Sequence, residues 1–184
     1  MPLRRWLARD EGADPTVTDK SAAGGRKAGS LDRVRRYLQE RGHADDLLVF
    51  DDRSTRTCDL AAQAVGCEVG QIVKSLVFVA DGTPVLALVA GDRRGDTAEI
   101  AEIVGATDVR FADADTVRSA TGYAIGGVSP FDLPEELVVL VDESLRRFDV
   151  LYTAAGTPSS MVRFDRDALF ALVGGQVARI SRAL

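Results

Sequence analysis

Apolar positions recur with structural periods only from about residue 30 onward. Leu31, Val34, Tyr37 and Leu38 fall at helical spacing and predict a helix from Leu31 to Arg41, with Ser30 as its cap. Asp46 to Phe50 reads as a strand, and Cys58 to Val65 as a helix capped by Thr57 or Thr55 and stopped at Gly66. Gln71 to Ala80 and Pro84 to Ala90 are two strongly apolar strands joined through an Asp81-Gly82 hairpin turn. A helix from Thr97 to Val104, a short strand from Val109 to Phe111 and a helix from Asp113 to Ala120 follow. Strands near Leu137 to Val141, Arg147 to Tyr152 and Met161 to Phe164, and a helix from Asp165 to Val173, complete the pattern. Such interleaving predicts a single-domain α/β fold with a mixed sheet flanked by helices. Residues 1–30, rich in Gly, Ala, Asp, Thr and Ser without periodicity, read as a flexible N-terminal extension to a domain spanning 31–184.

One position breaks the apolar strand at 71–80. Side chains alternate across a strand, so Lys74 shares a face with Ile72, Leu76 and Phe78, where an ammonium loses water that only a partner replaces. An unpaired charge in an apolar interior costs on the order of several kcal/mol. Either a carboxylate of the protein or an anionic ligand answers it, or the side chain snorkels from a cleft mouth to water.

Composition narrows the chemistry. With 184 residues and 46% hydrophobic content, the chain can bury a core without disulfide or metal staples. Cys58 and Cys67, nine apart and without a neighbouring histidine, read as structural thiols in a reducing compartment. His43 is the one histidine and falls in a turn, an exposed loop position that leaves no His-based triad or metal cluster. No apolar run approaches the ~20 residues of a membrane span, and a cytoplasmic location is expected. Net charge is -5, but residues 1–41 carry ten Lys/Arg against six Asp/Glu. That basic end suits an RNA approach, or it is simply a solvated helix and tail.

Three further segments could carry chemistry. In Gly126-Gly127-Val128-Ser129-Pro130 the paired glycines let main-chain N–H groups approach a ligand oxygen, or merely make a turn. Asp142 ends a strand, a common place for a site carboxylate and equally for a helix cap. Ala154-Ala155-Gly156 opens a small-residue loop that either satisfies a turn or leaves room for a ligand. Arg93 and Arg94 are candidate phosphate contacts or solvated turn residues.

Taken in order, Gln71-Ile72-Val73-Lys74-Ser75-Leu76, Gly91-Asp92-Arg93-Arg94, Gly105-Ala106, Thr121-Gly122-Tyr123, the 126–130 loop and Ala154-Ala155-Gly156 resemble the YbaK/ProX family of aminoacyl-tRNA deacylases. These are relatives of the editing domain inserted in bacterial prolyl-tRNA synthetases, and the resemblance spans about residues 31–180. It implies a mixed sheet partly curled into a barrel and trans-editing hydrolysis of mischarged aminoacyl-tRNA. Cys-tRNA(Pro), or a related small amino acid, is the first expected substrate. It further implies Lys74 as the catalytic residue meeting the substrate's negative 3'-terminal region. The implied substrate-binding positions are Gly126, Gly127, Val128, Ser129, Asp142, Gly156 and Phe50. Phe50 stands where some members have a tyrosine, so a phenolic contact is lost there. No cofactor or metal is called for, since an aminoacyl ester is already activated and its own ribose hydroxyl or thiol can assist release. The partners implied are proline-type tRNA and prolyl-tRNA synthetase. A non-catalytic module binding aminoacyl-tRNA, a nucleotide or a synthetase through the same pocket is the alternative.

Overall fold

The computed structural model describes residues 29–51 and 54–184, and the expected extension lies outside them except for Gly29 and Ser30. Among the described residues, five helices surround a sheet of eight strands: α1 (Ser30–Gln39), α2 (Cys58–Val65), α3 (Thr97–Val104), α4 (Ala114–Thr121) and α5 (Arg166–Val173). The strands are β1 (Leu47–Val49), β2 (Ile72–Ala80), β3 (Thr83–Ala90), β4 (Arg93–Gly95), β5 (Val109–Phe111), β6 (Val138–Asp142), β7 (Val150–Ala154), β8 (Ser160–Asp165), β9 (Gln176–Ala178) and β10 (Ser181–Ala183). The main sheet runs β1-β8-β7-β2-β3-β6-β9, with β5 added to β2, while β4 and β10 form a separate pair. Its path is open rather than closed into a barrel, and parallel and antiparallel pairs are mixed.

Local chemistry sets several boundaries. Thr57 accepts from the Leu60 N–H and Asp96 from the Ala98 and Glu99 N–H groups at the starts of α2 and α3. Gly66 and Gly105 end those helices at φ 72° and 70°, the left-handed conformation in which glycine carries no Cβ penalty. Ser30 is not the cap of α1. It is the first helical residue, and Gly29 precedes it without a side-chain bond. The expected strand from Arg147 begins only at Val150, because residues 143–147 form a 3-10 turn capped by Asp142.

Helices cover both faces of the sheet. On one, Val34 and Leu38 of α1, Val117 of α4 and Leu169 of α5 pack with Val73, Val77, Leu86 and Leu88 of the central strands. On the other, Ile100 and Val104 of α3 cover Phe78, Val85, Ala87 and Val89, while Ala61 and Ala62 of α2 pack on Ile72 and Met161. Each large aliphatic side chain so enclosed contributes about 2 kcal/mol. Lys74 belongs to the second face and points between the α2 and α3 clusters.

Candidate functional site

Strand β2 carries the site because its neighbours part along one edge. β3 pairs with β2 from Val73 to Ala80, whereas on the opposite edge β7 pairs only at Ile72 and Val73 and β5 only from Phe78 to Ala80. Lys74 to Val77 therefore have no strand beside them in this fork. Main-chain groups alternate sides along a strand, and the Val77 carbonyl accepts from the Ala112 N–H at 3.0 Å on this edge. By the same alternation, the N–H and C=O of Ser75 face the gap.

A cavity of about 430 Å³ opens there. Its walls come from residues 55–58 and Ala61 at the start of α2, the middle of β2, Phe111 and Ala112 at the end of β5, Val117, Ile125, Gly126 and Val128 of the glycine loop, and Ala154 with Met161. The cavity straddles the edge of β2, with Lys74 on one side and Val73, Ser75 and Val77 on the other. The Ser75 and Thr153 hydroxyls, both on that second side, are buried without a hydrogen-bond partner among the described residues.

Main-chain carbonyls, rather than a carboxylate, hold the Lys74 ammonium. Its Nζ donates to the carbonyl oxygens of Gly91, at 3.3 Å, and Arg93. An ammonium has three donors, so one remains for the cavity. The nearby Asp92 carboxylate is occupied in a two-pronged pair with Arg147 at 2.9 and 2.7 Å. Burial pushes the Lys74 pKa below the usual lysine value, against the opposing pull of Cys58 and Asp92. Cys58, on the first turn of α2 in the cavity wall, has its thiol pKa raised, first by burial and then against the Lys74 charge. Both groups are driven toward their neutral forms.

The other expected site residues fall into distinct layers. Gly126 and Val128 line the cavity beside Lys74. Gly127 lies behind them, and a Cβ there would stand 2.9 Å from the Gly156 carbonyl oxygen. Its N–H closes a turn on Ala124 O at 3.0 Å, so that donor is not offered to a ligand. Gly156, at φ 90°, backs the loop in turn, with a Cβ position 2.7 Å from Ser30 O. The two small-residue loops and the start of α1 thus stack backbone against backbone. Ser129 is fully buried and accepts from the Phe131 N–H at 3.4 Å, bracing the loop from within. Tyr123 locks the same corner, its hydroxyl donating to Phe131 O at 2.7 Å and its pKa pushed by burial up to about 12.

Phe50 and Asp142 stand apart from the cavity lining. Phe50 packs against the cluster of Ala61, Ala62, Ile72 and Met161 beneath α2. Asp142 is fully buried, accepting from the Ile180 N–H at 2.9 Å, the Ser181 hydroxyl at 2.9 Å and the Ser144 N–H at 3.0 Å. Its carboxylate fastens β10 rather than a ligand. Arg93 also differs from the expected phosphate contact: its guanidinium donates to Ser181 Oγ at 2.8 Å, while its carbonyl receives Lys74. His43 is half-buried, bonded to Asp46 at 3.0 Å and packed on Phe164, not an exposed loop residue.

Cys58, Arg56, Phe111 and Ile125 are cavity residues that the sequence reading did not single out for the site. Only Arg56 and Cys58 had a local signal, their place at the Thr57-capped helix start; Phe111 and Ile125 become neighbours of the site through the fold alone.

The sequence profile of the aminoacyl-tRNA editing domain matches residues 52–172, which include the fork, Lys74 and the glycine loop. The chain belongs to the aminoacyl-tRNA editing domain family. YwhH of Bacillus subtilis, described only as an uncharacterised protein, is 33% identical over 134 residues, covering 72% of this chain and 84% of that one. EbsC of Enterococcus faecalis, whose name proposes a Cys-tRNA(Pro)/Cys-tRNA(Cys) deacylase, is 27% identical over 68% of this chain and 77% of its own length. A crystal structure described as a proposed trans-editing enzyme for prolyl tRNA synthetase superposes with a TM-score of 0.76 at 40% identity, covering 86% of this chain and all of that one. The proline–tRNA ligase of Lactiplantibacillus plantarum is 26% identical over 122 residues, and the match spans 21% of that enzyme's length. The editing fold is thus a mixed α/β domain here, and no helix among the described residues is long and apolar enough to cross a membrane.

Proposed function

We propose that the protein hydrolyses the ester of a mischarged aminoacyl-tRNA, acting in trans in the cytoplasm on proline tRNA carrying cysteine or a similarly small amino acid. The observation that carries this reading is the half-buried ammonium of Lys74 at a forked strand edge, with main-chain carbonyls as partners and a donor to spare. A charge so placed suits an anionic substrate. In the reaction, water adds to the ester carbonyl, the bond from that carbon to the ribose oxygen breaks, and the proton passes to the departing oxygen. Lys74 meets the negative 3'-terminal region and fixes the ester in the gap, where position and charge lower the barrier without a nucleophilic side chain. Editing answers a physical limit: a binding pocket separates amino acids differing by one small group by only about 1–3 kcal/mol.

The test is hydrolysis of Cys-tRNA and Ala-tRNA of the proline type by purified protein, with Lys74→Ala beside the wild type. Acceleration of one ester that disappears in Lys74→Ala supports the reading and names the amino acid. Binding of charged tRNA with an unchanged ester lifetime would instead make the protein a binding module.

A further inference from the structure

Two of the large exposed apolar side chains among the described residues lie at the same cavity mouth. Phe111 is 50% exposed and Ile125 63% exposed, and both line the cavity. They come from different segments, the end of β5 and the glycine loop, so sequence adjacency does not account for their meeting. The Phe111 ring rests on buried Phe78 with centroids 4.5 Å apart, and Ile125 follows Tyr123, whose hydroxyl is tied to Phe131 O. A third segment brings exposed Arg56 to the same cavity, in ion-pair contact with no carboxylate among the described residues.

An aromatic face backed by Phe78, an aliphatic side chain and an exposed guanidinium match the parts of a nucleotide. The base offers an apolar face for stacking and the phosphate an anion for Arg56. We propose that Phe111 and Ile125 form a stacking seat for the base of the 3'-terminal nucleotide, with Arg56 taking a neighbouring phosphate. This rests on the deacylase reading and extends it: the aminoacyl group enters the fork at β2 while its nucleotide stays at the rim. A protein partner would need a broader surface than two side chains around an opening.

The test uses RNA minihelices ending in CCA, with the terminal nucleotide either intact or abasic, and anisotropy at fixed salt. Phe111→Ala and Phe111→Leu are expected to weaken binding of the intact minihelix about tenfold and leave the abasic one unchanged, as loss of one stacked base predicts. Phe111→Tyr keeps the affinity because it keeps the ring. Arg56→Gln weakens both RNAs alike and lowers the salt slope by about one. Equal losses on intact and abasic RNA, or no loss in Phe111→Ala, overturn the seat. If the wild type still hydrolyses mischarged tRNA in either case, only the seat falls; a wild type that neither binds nor hydrolyses takes the deacylase reading with it.

Discussion

The surroundings of Asp142 and of Lys74 show two treatments of a charge on a buried strand. Asp142 has no exposure and receives three donors, two from the backbone and one from Ser181. Lys74 is half-buried, touches two carbonyls, and has no carboxylate in direct contact among the described residues. One charge is consumed by the fold and the other is left with capacity facing a cavity. Burial alone does not separate these cases; the balance of donors against acceptors does.

That contrast breaks first at Asp142. Asp142→Ala strands the Ile180 and Ser144 N–H groups and frees β10, and should cost about 3 kcal/mol of stability or more, read by urea denaturation. A loss below about 1 kcal/mol would show that the nest is not structural. Lys74→Ala should do the reverse, lowering ester hydrolysis about 100-fold while stability stays within about 1 kcal/mol of wild type. Unfolding of that variant would instead place Lys74 with Asp142 among the groups the fold consumes.

Gly156→Ala tests the wall behind the glycine loop. Its positive φ and the close Ser30 carbonyl predict a loss of about 2 kcal/mol, seen as a lower melting temperature. The smallest effect concerns Cys58. Its folded thiol holds its proton to higher pH than the unfolded thiol, so this group's stabilising contribution is present below 9.0 and lost as pH rises through the folded value. Lys74, with a lowered pKa, runs the opposite way: stability gains as pH rises from its folded value toward 10.5. Alkylation rate against pH isolates the thiol, and Lys74→Met should shift its midpoint further upward by removing the charge that favours thiolate. An unmoved midpoint would break the coupling between the two groups.

Elements governed by adjacent residues are legible in the sequence. α2 and α3 run between the predicted residues because a capping side chain and a terminal glycine mark each end. The β2–β3 hairpin follows from Asp81-Gly82, where both residues adopt positive φ. Lys74 stood out because strand alternation puts it on an apolar face. By contrast β4, β9 and β10 have three residues each and exist through partners distant in sequence, β10 lying against β4 and β9 against β6. Asp142 looked like a site carboxylate because the donors that saturate it include Ile180 and Ser181, about 40 positions away. Phe111 and Ile125 carried no mark of a shared cavity, since its wall is assembled from separate segments.

The fork in β2 also has a kinetic meaning. One edge of β2 is zipped by β3 through a two-residue turn, a local contact that closes early and at low entropic cost. On the other edge β5 closes over Phe78 to Ala80, while the far end waits for β7, about 80 residues further along, which holds only Ile72 and Val73. The order of assembly thus runs from the hairpin toward the cavity, and the order of opening runs back. Amide exchange should show the β2–β3 hairpin among the slowest-exchanging protons and the β2–β7 junction opening first, so that the space beside Lys74 widens through fluctuation while the hairpin stays shut.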